Sequence, residues 1–480
     1  DSERTELQHK LDYVVKLAQG GDLRKAASHL TSLGTAPDTA DTAAKIDALQ
    51  FPRRASQRPV QAAARAHRPA DLVLSEEDVL DGIRRAPLRS ATTGSGWRNE
   101  FFKAMAEHEV GRTAAFTVLS RIAQGQFGLR VSTGERLNVV NAARLIAIDR
   151  GNDKIRPIAI GEVMRRLAAS CVIRSHVRAI EARVLKAKNL AFSKDGSATV
   201  FKTVQVLLEA NTDFLLVETD LAAAFQRASR EDMLAELYAD PALRDMIPLF
   251  LSLYEEDADL FFSDVAHMLS REGSHQGCPM GSFLFILTVA EAVEQIAEQY
   301  PSVTILGIAD DYRFVGPTQD TLDAVAAYSA AINRLGGVFQ SEKSWLFSHS
   351  QGTLNAAAQH EIATEMQVAS PNEGVRILGA PYGGEDWCRN WLEEKNAEIK
   401  THFDAIAELG RHDDTNSAQC AFLLLKFCAA TKFAHLLRMV PPPIIKEAAA
   451  KHDDQVRECL SRLLSGVGPD CACPCFSRGL

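Results

Sequence analysis

The sequence predicts an α+β fold, and three stretches carry that expectation. Thr304-Ile-Leu-Gly-Ile-Ala-Asp310-Asp311-Tyr-Arg-Phe-Val315 sets two adjacent carboxylates inside β-rich apolar sequence, which reads as two strands joined at a tight turn. Phe214-Leu-Leu-Val-Glu-Thr-Asp220 reads as a buried strand that ends in a carboxylate and gives way to a turn and helix. Apolar residues at helical spacing fill the two ends of the chain, so strands are expected in the middle and helices outside.

The N-terminal residues 1–50 read as a helical extension. Leu7, Leu11, Val14 and Leu17 share one helical face that stops at Gly20-Gly21, and Leu23, Ala26, Ala27 and Leu30 suggest a second helix. Residues 51–72 read as a basic linker, since positions 51–70 hold five Arg and no acid among Pro and Ala. The main body is expected over 73–391. Within it, Ser229 followed by Asp232 resembles a capping box that opens a helix through Met233, with Asp in place of Glu. Gly273-Ser-His-Gln276-Gly277-Cys-Pro279 reads as a tight loop before a core helix that runs through Leu287, Val289, Val293 and Ile296. Residues 392–465 read as largely helical, and Lys432, His435 and Arg438 fall on one helical face before Pro441. Residues 466–480 read as a tail, where Cys471, Cys473 and Cys475 cluster without the spacing of a zinc knuckle.

Composition sets bounds. The 480 residues, 46% hydrophobic and 24% charged, are ordinary for a globular chain of about two to four domains. No secretory signal is visible, and the longest apolar run, Ser282 to Val293, reads as too short to span a bilayer, so no membrane partner is expected. Beginning at Asp1, the chain reads as a fragment or a processed product. Nine scattered cysteines suit a reducing, intracellular compartment, with the nucleus expected and the mitochondrion as the alternative. The net charge of −9 argues against a uniformly basic nucleic-acid protein. The charge is segregated, however: residues 141–190 hold eleven Lys or Arg against four acids, which suits a local groove on an acidic body.

Charged side chains are rarely buried unless paired or bound to metal. Two other Asp-Asp pairs, Asp413-Asp414 and Asp453-Asp454, sit in polar surroundings and read as solvated surface. Asp310-Asp311 differs in its apolar flanks and in having Asp220 as a candidate partner. Hard cations such as Mg²⁺ take oxygen ligands, commonly one or two protein carboxylates together with substrate phosphates. Taken alone, Asp220 reads equally as a strand-end carboxylate that caps a turn.

In order along the chain come strand-Asp220-x4-Phe225, then Gln276-Gly277-x-Pro279 before a helix, then Ala309-Asp310-Asp311 in a hairpin. This order resembles motifs A, B and C of the palm of a reverse transcriptase, and in particular of the non-LTR (LINE-type) retrotransposon reverse transcriptases. Upstream, Arg156-Pro157-Ile-Ala-Ile-Gly161-Glu-Val-Met-Arg-Arg166-Leu resembles that family's fingers, downstream Phe339-Gln-Ser-Glu-Lys343-Ser resembles motif D, and Val375-Arg-Ile-Leu378-Gly379-Ala-Pro resembles its primer-grip turn. The resemblance covers residues 140 to 385. It departs from the pattern at Ile308, where an aromatic residue is usual, and at Asp149-Arg150, where Pro-Lys is usual.

The resemblance implies a right-hand polymerase architecture: fingers, a palm with an antiparallel sheet, and a helical thumb. It implies an RNA-directed DNA polymerase that adds deoxynucleotides to a primer 3′-hydroxyl with two Mg²⁺ ions, Mn²⁺ being the alternative metal. Asp220, Asp310 and Asp311 would be the catalytic carboxylates and, with the backbone carbonyl of Leu221, the metal ligands. Arg150, Lys154 and Arg156 would grip the triphosphate, Phe225 would exclude a 2′-hydroxyl, Gln276 and Gly277 would floor the nascent base pair, and Lys343 would donate a proton to pyrophosphate. Implied partners are an RNA template, a DNA or RNA primer, dNTPs and a ribonucleoprotein assembly. The rival reading is a retroelement-derived, catalytically silent subunit with a structural or RNA-binding role.

Overall fold

The computed structural model describes residues 2–32, 34–53, 72–93, 95–126, 129–130, 136–137, 140–275, 277–412 and 416–464. The linker residues 54–71, Gln276, Asp413-Asp414 and the three tail cysteines lie outside the described residues. The chain divides into two compact units: Thr35–Ser370, and Asp1–Gly34 together with Pro371–Leu480.

The larger unit holds two main sheets. Its strands in chain order are the short ribbon β1 (Leu129–Arg130) and β2 (Arg136–Leu137), then β3 (Ala143–Asp149), β4 (Ile155–Gly161), β5 (Leu215–Glu218), β6 (Ala258–Phe262), β7 (Ala266–Ser270), β8 (Thr304–Ile308), β9 (Asp311–Gly316), β10 (Trp345–Phe347) and β11 (Gln367–Ala369). One sheet runs β11-β10-β5-β9-β8 and is antiparallel except for the β10–β11 pair. The other runs β4-β3-β6-β7. Alternation decides which faces are buried: Leu145, Ala147, Leu260 and Phe262 point into a small core under the second sheet. Under the first sheet, Tyr312 and Phe314 of β9 pack their rings 5.5 and 5.3 Å from Tyr328 on the helix Thr318–Arg334.

The helix after the glycine loop runs Gly281–Gln299 and is almost wholly buried over its first ten residues, as its apolar spacing predicts. The helix Arg230–Ala239 carries half of the expected capping box: Ser229 Oγ accepts from Asp232 N at 3.2 Å.

In the smaller unit, helices Ser2–Gln19 and Leu23–Thr31 form the expected hairpin, with Leu11, Val14 and Leu17 buried and Leu7 exposed. The stretch expected to turn like a primer grip is a hairpin of β12 (Gly374–Ile377) and β13 (Ala380–Gly383). Both central residues, Leu378 and Gly379, have positive φ, which a two-residue turn of this hand requires.

One expectation needs correction here. The tract Ser417–Met439 is, by length and composition alone, apolar enough to cross a membrane, so Ser282–Val293 is not the nearest such run. It is broken in the structure: α-helix to Leu424, π-helix over Leu425–Ala429, a 3₁₀ segment to Phe433, and α-helix again to Met439. Of the three residues expected on one helical face, Lys432 lies in the 3₁₀ segment and His435 and Arg438 in the last α-helix. Lys432 turns toward His402, with 3.1 Å between Nζ and Nε2, while His435 and Arg438 stay exposed.

Candidate active site

Strands β8 and β9 meet in a two-residue turn, Ala309-Asp310, closed by the pair Ile308↔Asp311. Ala309 takes φ of +54°, the left-handed value the first turn residue needs and one that most L-residues avoid. Asn189 holds it there. This side chain is wholly buried; its Nδ2 donates to the Ala309 carbonyl at 2.9 Å and its Oδ1 accepts from the Ala309 amide at 3.2 Å. The segment around Asn189 also pairs with β8, since Gly307 N donates to Lys188 O and Leu190 N donates to Gly307 O, both at 2.8 Å. A methyl on Gly307 would stand 2.6 Å from Asn189 Nδ2 and 2.7 Å from the Tyr312 ring, so only glycine admits the clamp.

Asp220 arrives beside this tip through strand pairing. β5 runs antiparallel to β9 with Glu218 opposite Arg313. One residue on, both the amide and the hydroxyl of Thr219 donate to Tyr312 O, at 3.1 and 2.8 Å. Asp220 is the next residue, so the register sets it against Asp311. Its amide donates to Ser344 Oγ at 3.2 Å and its carbonyl accepts from Gln340 N at 3.0 Å. Leu221 lies in a bridge with Phe339 whose hydrogen bonds come from Asp220 O and Ala222 N, so that pairing does not use the Leu221 carbonyl.

The electrostatics report the same proximity. Burial pushes the Asp310 carboxyl up to about 6, the negative charges of Asp311 and Asp220 add to that, and Arg156 opposes it. Burial also raises Asp220; Lys343 pulls it back, while Asp311 and Glu342 push it further up. Asp311 itself is exposed. Among the described residues, no three His, Cys, Asp or Glu side chains stand close enough to grip one ion as they are.

The other expected residues are placed as follows. Arg150, Lys154 and Arg156 are exposed and belong to the β3–β4 hairpin, whose tip is tied by Arg150 N donating to Lys154 O at 2.9 Å. Of the three, Arg156 is the one whose charge reaches Asp310. Asp149 is occupied locally: its Oδ1 accepts from Gly151 N at 2.8 Å and shapes the tip. Phe225 is half-buried with its ring 5.6 Å from Phe285, and its carbonyl accepts from Ser274 N at 2.9 Å, which fastens the residue to the glycine loop. Gly277 has φ of +118°, and a Cβ there would meet Ala159 O of β4 at 2.9 Å. Gln276 lies outside the described residues. Lys343 is exposed on a 3₁₀ turn, its Nζ donating to Gln340 Oε1 at 2.8 Å.

Residue reading missed the supports. Asn189 looked like any loop residue, and only its buried position behind the turn reveals it. Arg313 is buried and pairs with Glu218 at 2.8 Å across β5 and β9. Arg230 is buried, and its guanidinium donates to the carbonyls of Gly273, Ser270, Glu272 and Tyr254 and to Ser270 Oγ, which ties the helix after Asp220 to the loop before Gly277. The basic excess over 141–190 is also partly structural rather than a groove. Arg165 and Arg183 are buried, the latter between Glu236 and Glu294, and Arg174 pairs with Asp81.

No family model matches the chain. It is 22% identical over 405 residues to the Retrotransposable element SLACS 132 kDa protein of Trypanosoma brucei gambiense; the match takes in 82% of this chain and 32% of that protein. The chain thus spans about a third of the length of this relative. Among solved structures it is similar to apo telomerase from Candida tropicalis, with TM-score 0.41, 11% identity, and 74% and 67% of the two chains covered. It is similar also to that telomerase truncated from its C-terminal domain, with TM-score 0.34, 13% identity, and 46% and 51% covered. By the order of its motifs, and by a retrotransposon relative that matches most of its length, the chain resembles the reverse transcriptases of non-LTR retrotransposons.

Proposed function

We propose that the chain is an RNA-directed DNA polymerase that extends a primer on an RNA template with deoxynucleotides. The observation that carries this is the β5–β9 register, which sets Asp220 beside a hairpin tip bearing Asp310 and Asp311. Three carboxylates in mutual electrostatic reach, two of them held above their ordinary range, form an oxygen-rich site that favours hard cations. Asp220, Asp310, Asp311 and the Leu221 carbonyl would hold two Mg²⁺ ions, or Mn²⁺. Bound there, such ions stabilise the attacking and leaving oxygens of a nucleotidyl transfer.

The chain's own residues do the rest. Arg156, with Arg150 and Lys154 nearby, binds triphosphate oxygens, a task for which the guanidinium fork is suited. Gly277 lets the loop lie flat on β4 beneath the base pair, and Gln276, which precedes it in the sequence, would help to floor that pair. Lys343 is the candidate proton donor to pyrophosphate. Phe225 is braced by Phe285 and by Ser274, so its ring can press on the sugar and refuse a 2′-hydroxyl. A reducing intracellular compartment, the nucleus first, belongs to the same proposal.

The test is extension of a DNA primer on an RNA template, with and without Mg²⁺. The wild-type chain extends the primer only with metal, and Asp310→Ala reduces the rate at least about 100-fold, the scale of losing a transition-state contact worth a few kcal/mol. Undiminished extension by that variant overturns the proposal. Phe225→Ala incorporates ribonucleotides that the parent excludes; unchanged sugar selectivity removes the gate.

A second reading keeps the fold without turnover, as a structural or RNA-binding subunit of a ribonucleoprotein. It draws on the acidic balance and on aspartates that do not yet close around one ion. RNA binding by a chain inert in the extension assay would select it.

A further inference from the structure

A pocket in the smaller unit is unrelated to the three aspartates. Its volume is about 550 Å³, and it is bounded by the second helix of the N-terminal hairpin, the helix Glu385–Leu409 and the broken tract Ser417–Met439. That volume lies in the usual range of small-molecule sites. Every ionisable side chain in its wall except Cys428 is basic: Arg24, His402 and Lys432. Lys432 Nζ contacts a histidine nitrogen rather than a carboxylate. Burial and Lys432 lower His402, which keeps its ring neutral near pH 7, and burial and the neighbouring Lys395 lower Lys432, so the positive charge of the wall rests on Arg24 and Lys432 and is held by the latter at some cost. The acid that opposes this, Glu398, is engaged by Lys395 at 2.6 Å. The pocket's rim carries Phe427, 54% exposed on the π-helical turn, with Lys426 Nζ 5.2 Å from its ring centroid. Turns of that kind inside helices recur at functional sites.

A basic wall asks for an anion, and an exposed ring asks for a flat partner. We propose that this pocket binds a nucleotide unit, its phosphate between Arg24 and Lys432 and its base against Phe427. Ser28 supplies a further hydroxyl on the same wall. Stacking on an aromatic ring with a cationic track for the backbone is how single strands are held without regard to sequence. A free mononucleotide and a nucleotide within a strand share this chemistry, and the experiment separates them.

The probe is a 5-iodouridine-substituted RNA 12-mer, photocrosslinked to the full chain and mapped by peptide mass spectrometry, alongside fluorescence anisotropy of the same labelled RNA and of labelled AMP. Crosslinks are expected on the peptide containing Phe427. Phe427→Ala and the double charge removal Arg24→Ala/Lys432→Ala each lower the yield of that crosslink at least about fivefold, as the loss of one stacked base or two phosphate contacts predicts. Arg24→Glu alone is the exposed-site control: it must weaken the crosslink while circular dichroism stays unchanged. If AMP binds the parent chain and Arg24→Glu weakens it, the occupant is a free nucleotide; if only the RNA behaves so, it is a strand. Crosslinks confined to residues 143–345, or a Phe427 crosslink indifferent to all three variants, overturn the proposal. Primer extension by the parent chain is scored separately from these crosslinks, so failure of this pocket leaves the polymerase reading untouched.

Discussion

Asp310 shows how one side chain links fold and chemistry. Its folded carboxyl titrates near 6, above the ordinary carboxylate value near 4, because burial and two neighbouring aspartates disfavour its charge. An acid whose folded value is raised binds its proton more tightly in the native state. Its contribution to stability is therefore full below about pH 4 and is lost as pH rises through about 6. In EDTA, Asp310→Asn should raise stability at pH 8 by about 2 kcal/mol and change it little at pH 3, where the carboxyl is protonated in the folded and unfolded chain alike and is as neutral as the amide. Urea denaturation at both pH values checks this, and equal effects at the two would refute it. At this scale the sequence was informative about the acids and silent about their neighbours. Apolar flanks exposed Asp310-Asp311 as unusual, whereas Asn189 and Ser344 act through a backbone that only three-dimensional folding brings to them.

The element that decides the site is the β5–β9 pair. Its register is fixed at the far end by apolar side chains and at the near end by the buried Arg313, paired with the half-buried Glu218 two residues from the acids. Removing one member of such a pair strands the other's charge, typically at about 3–5 kcal/mol, while replacing both with apolar residues is often neutral. Arg313→Met should therefore destabilise by about 3 kcal/mol, and Arg313→Met combined with Glu218→Leu should recover most of that loss. A double-mutant cycle by urea denaturation measures it; additive losses would mean the two side chains act independently. These strands were legible because alternating and continuous apolar runs survive as patterns. The arginine was not, since a charge at the centre of Tyr312-Arg313-Phe314 gives no sign of whether it faces solvent or a partner.

For the whole molecule, the order of motifs was readable and the fate of charge was not. Motif order depends on residue type and spacing, both printed in the chain. The eleven basic residues over 141–190 suggested a groove, yet Arg165 and Arg183 went inside and Arg174 to Asp81. A tract of high apolarity near residue 430 read as a plain helix, but glycine and proline are absent from it, so nothing marked the π and 3₁₀ turns that break it. Such breaks come from packing among helices, which a one-dimensional pattern does not encode.

Ala309 holds the turn between β8 and β9 in a strained backbone conformation. An L-residue at φ of +54° sits uphill by about 1 kcal/mol, and glycine would relieve that. The alanine instead narrows the turn's wobble while Asn189 bolts it from behind, so the tip behaves like a cocked lever whose aim is set before any substrate arrives. Slack at that hinge would let adjacent like charges swing apart, and the fold trades a little comfort for keeping them together.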